Sequence, residues 1–362
     1  MTAPDRRQFA PQVRCPICLT RLGRRPPRAV RLDGNGVETP FVPTDPSDPM
    51  RTRSEELAAY RICDGGETPH YLPLRYGEYG TPIVIGVIGA ATSGKTTLLA
   101  AMIGSLMEAV GHSRLPIQVD ALDLRMHARF MSTYVNPLLV HRTRLSATRM
   151  RSVELTDALR VHTGVGGPRA VVFFDVAGEQ LENADRENRF ISGLNALLFV
   201  VDSEELLQRR QRGARLVGDR AFDVVLDRLG AVHGYTPAGF IPLPAAVVVA
   251  KADLLRFYGE PELDRWFALG NSDETDLSTV ESESEDAYRL LYRRGSGYLA
   301  PAQRFLRTSL HFATATGTAP ESTEAATYPI DGFGPRRTLK PLLSLFQMIG
   351  VVSPPVRTGS PT

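Results

Sequence analysis

Residues 82 to 97 read Pro-Ile-Val-Ile-Gly-Val-Ile-Gly-Ala-Ala-Thr-Ser-Gly-Lys-Thr-Thr. An apolar, β-branched run (Ile83 to Ile88) ends at Gly89, and a loop of small residues leads to Gly94-Lys95-Thr96. Apolar residues then recur at Leu99, Met102, Ile103, Leu106 and Val110, the spacing of one buried helix face that Gly111 closes. The pattern G-x-x-x-x-G-K-[ST] between a buried strand and such a helix is a phosphate-binding loop. Gly89 and Gly94 let backbone N–H groups curl around a phosphate, and a helix starting near Lys95 aims the positive end of its dipole at it. The candidate contacts are Gly89, Thr92, Ser93, Gly94, Lys95, Thr96 and Thr97. Lys95 would bring a point charge to the outer phosphates and the Thr96 hydroxyl a ligand for Mg²⁺. Of 42 basic residues only three are lysines, Lys95, Lys251 and Lys340. A chain that otherwise writes arginine thus keeps lysine where a planar guanidinium cannot replace a compact ammonium.

A second group follows a second strand. Residues 170 to 179 read Ala-Val-Val-Phe-Phe-Asp-Val-Ala-Gly-Glu. Asp175 at the strand end is placed to hold Mg²⁺, and Gly178 leaves room for its N–H to approach a terminal phosphate. Two further buried strands are expected at 196 to 202 and 245 to 250. The latter runs into Lys251-Ala-Asp253, where the carboxylate of Asp253 can accept from guanine N1–H and the exocyclic amine, which adenine cannot match. Each charge-assisted bond is worth about 1.5–3 kcal/mol, enough to select guanine. The stem of Lys251 can lie across the base. A last strand (Ser309 to Thr314) leads to Ala315-Thr316-Gly317, a loop whose amide at Ala315 is placed to meet the guanine O6.

All three cysteines lie in the first 80 residues, as Cys15-Pro-Ile-Cys18 and Cys63. Cys-x-x-Cys is a zinc half-site, because its thiolates converge on one metal without strain. Cys63 and His70 are the best second pair, with Asp64 as a substitute; a reduced pair plus a separate core cysteine is the plainer alternative. No strand–helix–strand pattern surrounds the pair, which argues against redox chemistry.

These residues must be held by ordered elements, and the bulk composition allows that. With 43% apolar and 23% charged residues, the chain has the balance of a soluble globular protein. A net charge of +2 gives no argument for nucleic-acid binding. No apolar run reaches a membrane-spanning length and residues 1 to 10 lack a signal-peptide core. Few cysteines suit a reducing compartment, so a cytoplasmic location is expected, with peripheral attachment open. The expected organisation is a Pro/Arg-rich zinc-ribbon-like region over 1–80, an α/β domain over 81–352 with insertions near 112–157 and 254–308, and a disordered tail over 353–362. The arginines of 112–169 read as a solvated basic helix face. The acidic run 270–287 reads as a mobile surface insertion, and 337–352 as a closing amphipathic helix.

In this order the motifs resemble a Ras-like P-loop GTPase of the translation-factor-related class. Gly89 to Thr96 matches the phosphate loop, Asp175-Val-Ala-Gly178 the second switch, Ala250-Lys-Ala-Asp253 the base motif and Thr314-Ala-Thr316 the last loop. The zinc-ribbon-like N-terminus and Gly334-Pro-Arg-Arg are similar to bacterial double-GTPase proteins. The resemblance implies a three-layer fold with a mostly parallel sheet, GTP/GDP and Mg²⁺ as ligands and Lys95, Gly178 and Glu179 at the reaction centre. It also implies protein effectors and regulators, with another GTPase as a candidate partner, in a multi-component bacterial regulatory or conflict system. Glu179 stands where the family commonly has a water-orienting Gln, with Gln180 next to it, so hydrolysis would be slow or partner-dependent. Arg149 and Arg151 are candidates for an arginine finger in cis. Ala250 replaces a loop-bracing Asn or Thr, and the threonine of the first switch is Thr148 or Thr156. A non-hydrolysing GTP-binding scaffold and an ATP-dependent P-loop ATPase or kinase are the alternatives.

Overall fold

The computed structural model describes residues 13–146, 155–163, 167–175, 186–211, 218–268, 271, 273–320 and 327–352. Short strands near the N-terminus make two antiparallel sheets. One pairs β1 (Val13–Arg14) with β2 (Arg21–Leu22). The other holds β3 (Ala29–Leu32), β4 (Glu38–Pro40), β5 (Tyr60–Cys63) and β6 (His70–Pro73) in the order β4-β3-β5-β6.

The main sheet is built from β7 (Ile83–Ile88), β8 (Ile117–Ala121), β9 (Asp157–Thr163), β10 (Gly167–Asp175), β11 (Ala196–Asp202), β12 (Ile241–Ala250) and β13 (Phe305–Phe312). Its seven strands run in the order β13-β12-β11-β7-β10-β9-β8. The first five are mutually parallel; β9 is antiparallel to β10 and to β8. The continuous apolar runs form because both faces are covered. In β7, Val84 and Ile88 enter one core while Ile83, Ile85 and Val87 enter the other, and β10, β11 and β12 alternate in the same way. Helices Lys95–Gly111 and Leu339–Met348 cover one face; Arg220–His233, Pro261–Ala268 and Val280–Arg294 cover the other. This is the α/β three-layer P-loop architecture expected from the motifs, with the phosphate loop at the C-terminal end of the central strand, where such sheets bind ligands.

Two expectations need correction. Among the described residues, the acidic stretch is not a mobile insertion. Residues 280–294 form a helix, and Asp273, Glu274, Glu283 and Asp286 are buried. Charge pairing supplies the reason. Glu283 meets Arg337 and His311, Asp273 meets Arg337 and Lys340, and Glu274 accepts the Leu339 N–H at 2.6 Å, capping the closing helix. The Arg-rich stretch is only partly helical: β8 and β9 pair within it, and Arg160 binds Asp120 across the two strands. The N-terminal region is packed onto the main domain. Val13, Cys15, Cys63, Leu72 and Tyr76 lie in the same apolar cluster as β10 and β11. Gly193 is close to the turn after Cys18, since a Cβ there would fall 2.5 Å from Leu19 Cδ2.

Candidate functional site

The phosphate loop owes its shape to close approach. A Cβ on Gly89 would lie 2.7 Å from the Val200 carbonyl oxygen of β11, so this position admits glycine only. Thr92 (φ 69°) and Gly94 (φ 84°) both take left-handed backbone. For Thr92 that conformation costs on the order of 1–3 kcal/mol, which the surrounding contacts must hold. Gly94 offers no side-chain cap, so the first-turn amides of the helix Lys95–Gly111 remain directed toward the loop. Lys95 is buried, and its Nζ donates to the carbonyls of Gly89 (2.8 Å) and Ala90 (2.6 Å). The ammonium is thereby curled over the loop it would serve.

Asp175, the last residue of β10, accepts a hydrogen bond from Thr96 Oγ1. Its own N–H donates to Thr156 Oγ1 at 2.9 Å. Burial pushes the Asp175 carboxyl up, opposed by the Thr96 hydrogen bond and the Lys95 charge. A buried carboxyl beside a hydroxyl is a hard-oxygen pair that suits Mg²⁺, and Thr96 and Asp175 are the residues that would hold the ion. Of the two first-switch candidates, Thr156 meets the Asp175 backbone N–H. Thr148, Arg149, Arg151, Gly178, Glu179 and Gln180 lie outside the described residues.

Lys251 joins this centre to the base motif. It sits in left-handed backbone (φ 51°), and its Nζ donates to the Thr92 carbonyl at 3.2 Å and pairs with Asp202 Oδ2 at 2.9 Å. Its stem passes over Gly94, whose added Cβ would meet Lys251 Cε at 3.7 Å. Two residues on, Asp253 is 8% exposed, and its Oδ1 has no hydrogen-bond partner among the described residues. Burial pushes the Asp253 carboxyl up; a hydrogen bond with Thr314 and the charges of Arg336 and Arg256 pull it back. An orphaned, buried acceptor is costly unless a ligand supplies donors.

Ala315 follows Thr314 in a loop folded on the Thr314 hydroxyl, which accepts the Gly317 N–H at 2.9 Å. Gly317 (φ 72°) is required, because a Cβ would lie 2.7 Å from the carbonyl oxygens of Gly332 and Gly334. The loop is braced by Arg336, which exchanges both backbone hydrogen bonds with Thr314, and by Gly334 N–H donating to the Thr316 carbonyl at 2.8 Å.

Sequence reasoning missed several of these supports. The bracing bond missing at Ala250 is replaced by Ser203, whose hydroxyl donates to the Ala250 carbonyl at 2.6 Å. Asp202 fixes Lys251; its signal was available, an acid ending a buried strand as Asp175 does. Asp219 faces the Ala90 amide and feels the Lys95 charge. The segment Gly334-Pro-Arg-Arg stood out by family likeness, but nothing local in the sequence marked its bracing of the 314–317 loop.

At the N-terminus, Cys15, Cys18, Cys63 and His70 bring one ligand atom each to within 4.8 Å of the others. Cys18 Sγ and Cys63 Sγ are 3.5 Å apart, and Cys15 Sγ and His70 Nδ1 are 3.6 Å apart. Tetrahedral zinc, with Zn–S about 2.3 Å and Zn–N about 2.0–2.1 Å, sets these edges at about 3.8 and 3.6 Å. Asp64 is not in the cluster. Arg61 gives an independent test of fit. It is 1% exposed, its Nε has no partner among the described residues, and it lies within Coulombic reach of Cys63 and Cys15. A three-thiolate, one-imidazole zinc complex carries one net negative charge, which this buried cation would balance.

The S. cerevisiae Ski7 GTPase-like domain bound to GTP is similar at 12% identity, covering 76% of this chain and 51% of that one, with a TM-score of 0.32. The same domain bound to GDP and inorganic phosphate gives 11% identity, 74% and 50% coverage, and a TM-score of 0.29. The chain thus spans about half the length of these solved structures. No curated protein matches it. The fold rests on the strand order and loop geometry above. The family model for Double-GTPase 2 matches residues 83–297, more than half of the chain and every strand of the parallel core except β13. The chain, a P-loop GTPase by its motifs and architecture, belongs to the Double-GTPase 2 family.

Proposed function

We propose that the protein is a Mg²⁺-dependent guanine-nucleotide switch that binds GTP and hydrolyses it to GDP, slowly or with help from a partner. The observation that carries this reading is the buried, unpartnered Oδ1 of Asp253, tied to the phosphate loop through the Lys251–Thr92 contact. An acid there accepts from the two donors on the guanine edge and finds none to match on adenine. Lys95 and the loop amides bind the phosphates, and Thr96 and Asp175 hold the metal. Bound Mg²⁺ neutralises charge that develops on the phosphate oxygens. Thr156, hydrogen-bonded to the Asp175 amide, links the first-switch side to that centre. Gly178 and Glu179 are assigned the terminal-phosphate side on sequence grounds. A carboxylate near that phosphate is repelled by it, which favours slow intrinsic turnover and keeps a non-hydrolysing scaffold as the second reading.

The N-terminal region is assigned a structural zinc, held by Cys15, Cys18, Cys63 and His70. The closeness of Gly193 to Leu19 supports a role for this region beside residues 189–193, which follow the sequence assigned to the second switch. We assign the domain limits near residues 80 and 352 and a cytoplasmic role alongside protein effectors; no described helix is long and apolar enough to cross a membrane. The test is a calorimetric titration with Mg²⁺ and GDP, GTP, ADP or ATP. Guanine nucleotides should bind at least about a hundredfold more tightly, as two charge-assisted bonds allow. Equal or tighter adenine binding would favour an ATPase or kinase. Single-turnover hydrolysis separates switch from scaffold: a rate abolished by Thr96→Ala marks an enzyme, and no turnover with or without partners marks a scaffold.

A further inference from the structure

The geometry points to Tyr328 as an aromatic wall of the guanine site, supplied by the segment after the last strand and closing the pocket that Lys251 and Asp253 begin. This rests on the guanine-nucleotide reading above. Three contacts place the ring. Tyr328 N–H donates to the Arg142 carbonyl at 2.8 Å, and Thr327 forms a β-bridge with Thr143, which fixes the backbone on that side. The ring of Phe333 lies 5.7 Å from that of Tyr328, tilted by 35°. Phe333 immediately precedes Gly334, whose N–H is bonded to Thr316 of the loop assigned to the base oxygen. The braced ring is therefore attached on one side to residues 142–143 and on the other to the 314–317 loop.

The charges that Tyr328 feels agree with that position. Burial pushes its hydroxyl up, and the neighbouring charges are Arg144, Lys251 and Asp253. The ring is half-buried, as a side chain lining an open site should be. Its chemistry suits the vacant role. Asp253 reads the edge of a base, but an edge reader leaves the faces to be covered, and an aromatic ring covers a purine face whatever its identity. Tyr328 thus contributes affinity, and Asp253 contributes choice.

The experiment titrates GDP, ADP and inorganic tripolyphosphate, each with Mg²⁺, into the full-length protein, Tyr328→Ala, Tyr328→Phe and Phe333→Leu. Tyr328→Ala should weaken GDP about tenfold or more, as loss of one stacking contact does. It should leave tripolyphosphate, which has no base, unchanged, and preserve the GDP-to-ADP ratio. Tyr328→Phe should bind GDP like the parent, and Phe333→Leu should lose only a few-fold. The inference is overturned if Tyr328→Ala binds GDP normally, or if GDP and tripolyphosphate weaken equally, which marks a purely structural residue. Should Tyr328→Ala not fold, normal GDP binding by Phe333→Leu together with a large loss in Tyr328→Phe overturns it, because the hydroxyl and not the ring would then act. A parent protein that prefers ADP fails the guanine reading itself, and that result is visible before any variant is made.

Discussion

Arg337→Met removes a buried cation from between two carboxylates while keeping an apolar stem. Arg337 is 0% exposed, in left-handed backbone (φ 59°), with Nη2 3.0 Å from Glu283 Oε1 and a second pairing to Asp273. Removing one partner of a buried pair costs about 3–5 kcal/mol. Here the carboxylates keep other partners. Glu283 retains His311 Nδ1 at 3.0 Å and the Phe312 N–H at 3.0 Å, and Asp273 retains Lys340 at 2.7 Å. The low end, about 3 kcal/mol, is therefore expected. With an unfolding entropy of about 2.1 cal/mol/K per residue over 362 residues, that is a fall of about 4 °C in Tm by calorimetry. GDP affinity should fall in the same variant, since the adjacent Arg336 holds Thr314, the neighbour of Asp253. Arg337→Lys, which restores charge but not the fork, should recover part of the loss. A Tm within about 1 °C of the parent and unchanged GDP binding would refute both the energetic role of the cluster and its link to the site.

Two further outcomes are expected. Metal analysis of purified protein should find about one zinc per chain, and Cys15→Ser should lower both zinc content and Tm, because Cys15 lies within the main apolar cluster; below about 0.2 equivalents with full folding, the site falls. The pH dependence should split by role. Asp175 and Asp253 have raised carboxyl values, so on acidification they protonate before ordinary carboxylates, and Mg²⁺–GDP affinity should decline at correspondingly higher pH. In the ligand-free protein their ionisation disfavours folding as pH rises through the ordinary range to those raised values. Glu283 and Asp273 are depressed, against burial, by His311 and Arg337 for Glu283 and by Lys340 and Arg337 for Asp273. Their stabilisation is present above the ordinary carboxylate range and lost as pH falls through the lowered values. Affinity should therefore fail at higher pH than the fold; thermal melts and titrations across pH check the order.

Much of this was legible in the residues because the signals are local. A β-branched run ending in Gly89, the Lys95–Thr96 pair and Asp175 at a strand end each declare strand, loop and charge within a few positions. The candidate metal ligands were legible by type, and three-dimensional contact groups His70, not Asp64, with the three cysteines. What stayed hidden depends on partners distant in sequence. Asp273, Glu274 and Glu283 look like a solvated acidic tract until Arg337, Lys340 and the amide of Leu339 arrive from more than fifty residues away. The Ser203 brace at Ala250 and the 332–336 brace at Gly317 are likewise contacts between loops, and no periodicity encodes them.

The most direct measurement is nucleotide preference after Asp253→Asn. The amide can donate to the carbonyl that xanthine carries at C2 in place of the guanine amine. XDP binding should rise and GDP binding fall, reversing the preference, with the phosphate contacts of Lys95 untouched. If the variant still prefers GDP as strongly as the parent does, Asp253 does not read the base, and the guanine-switch account is contradicted.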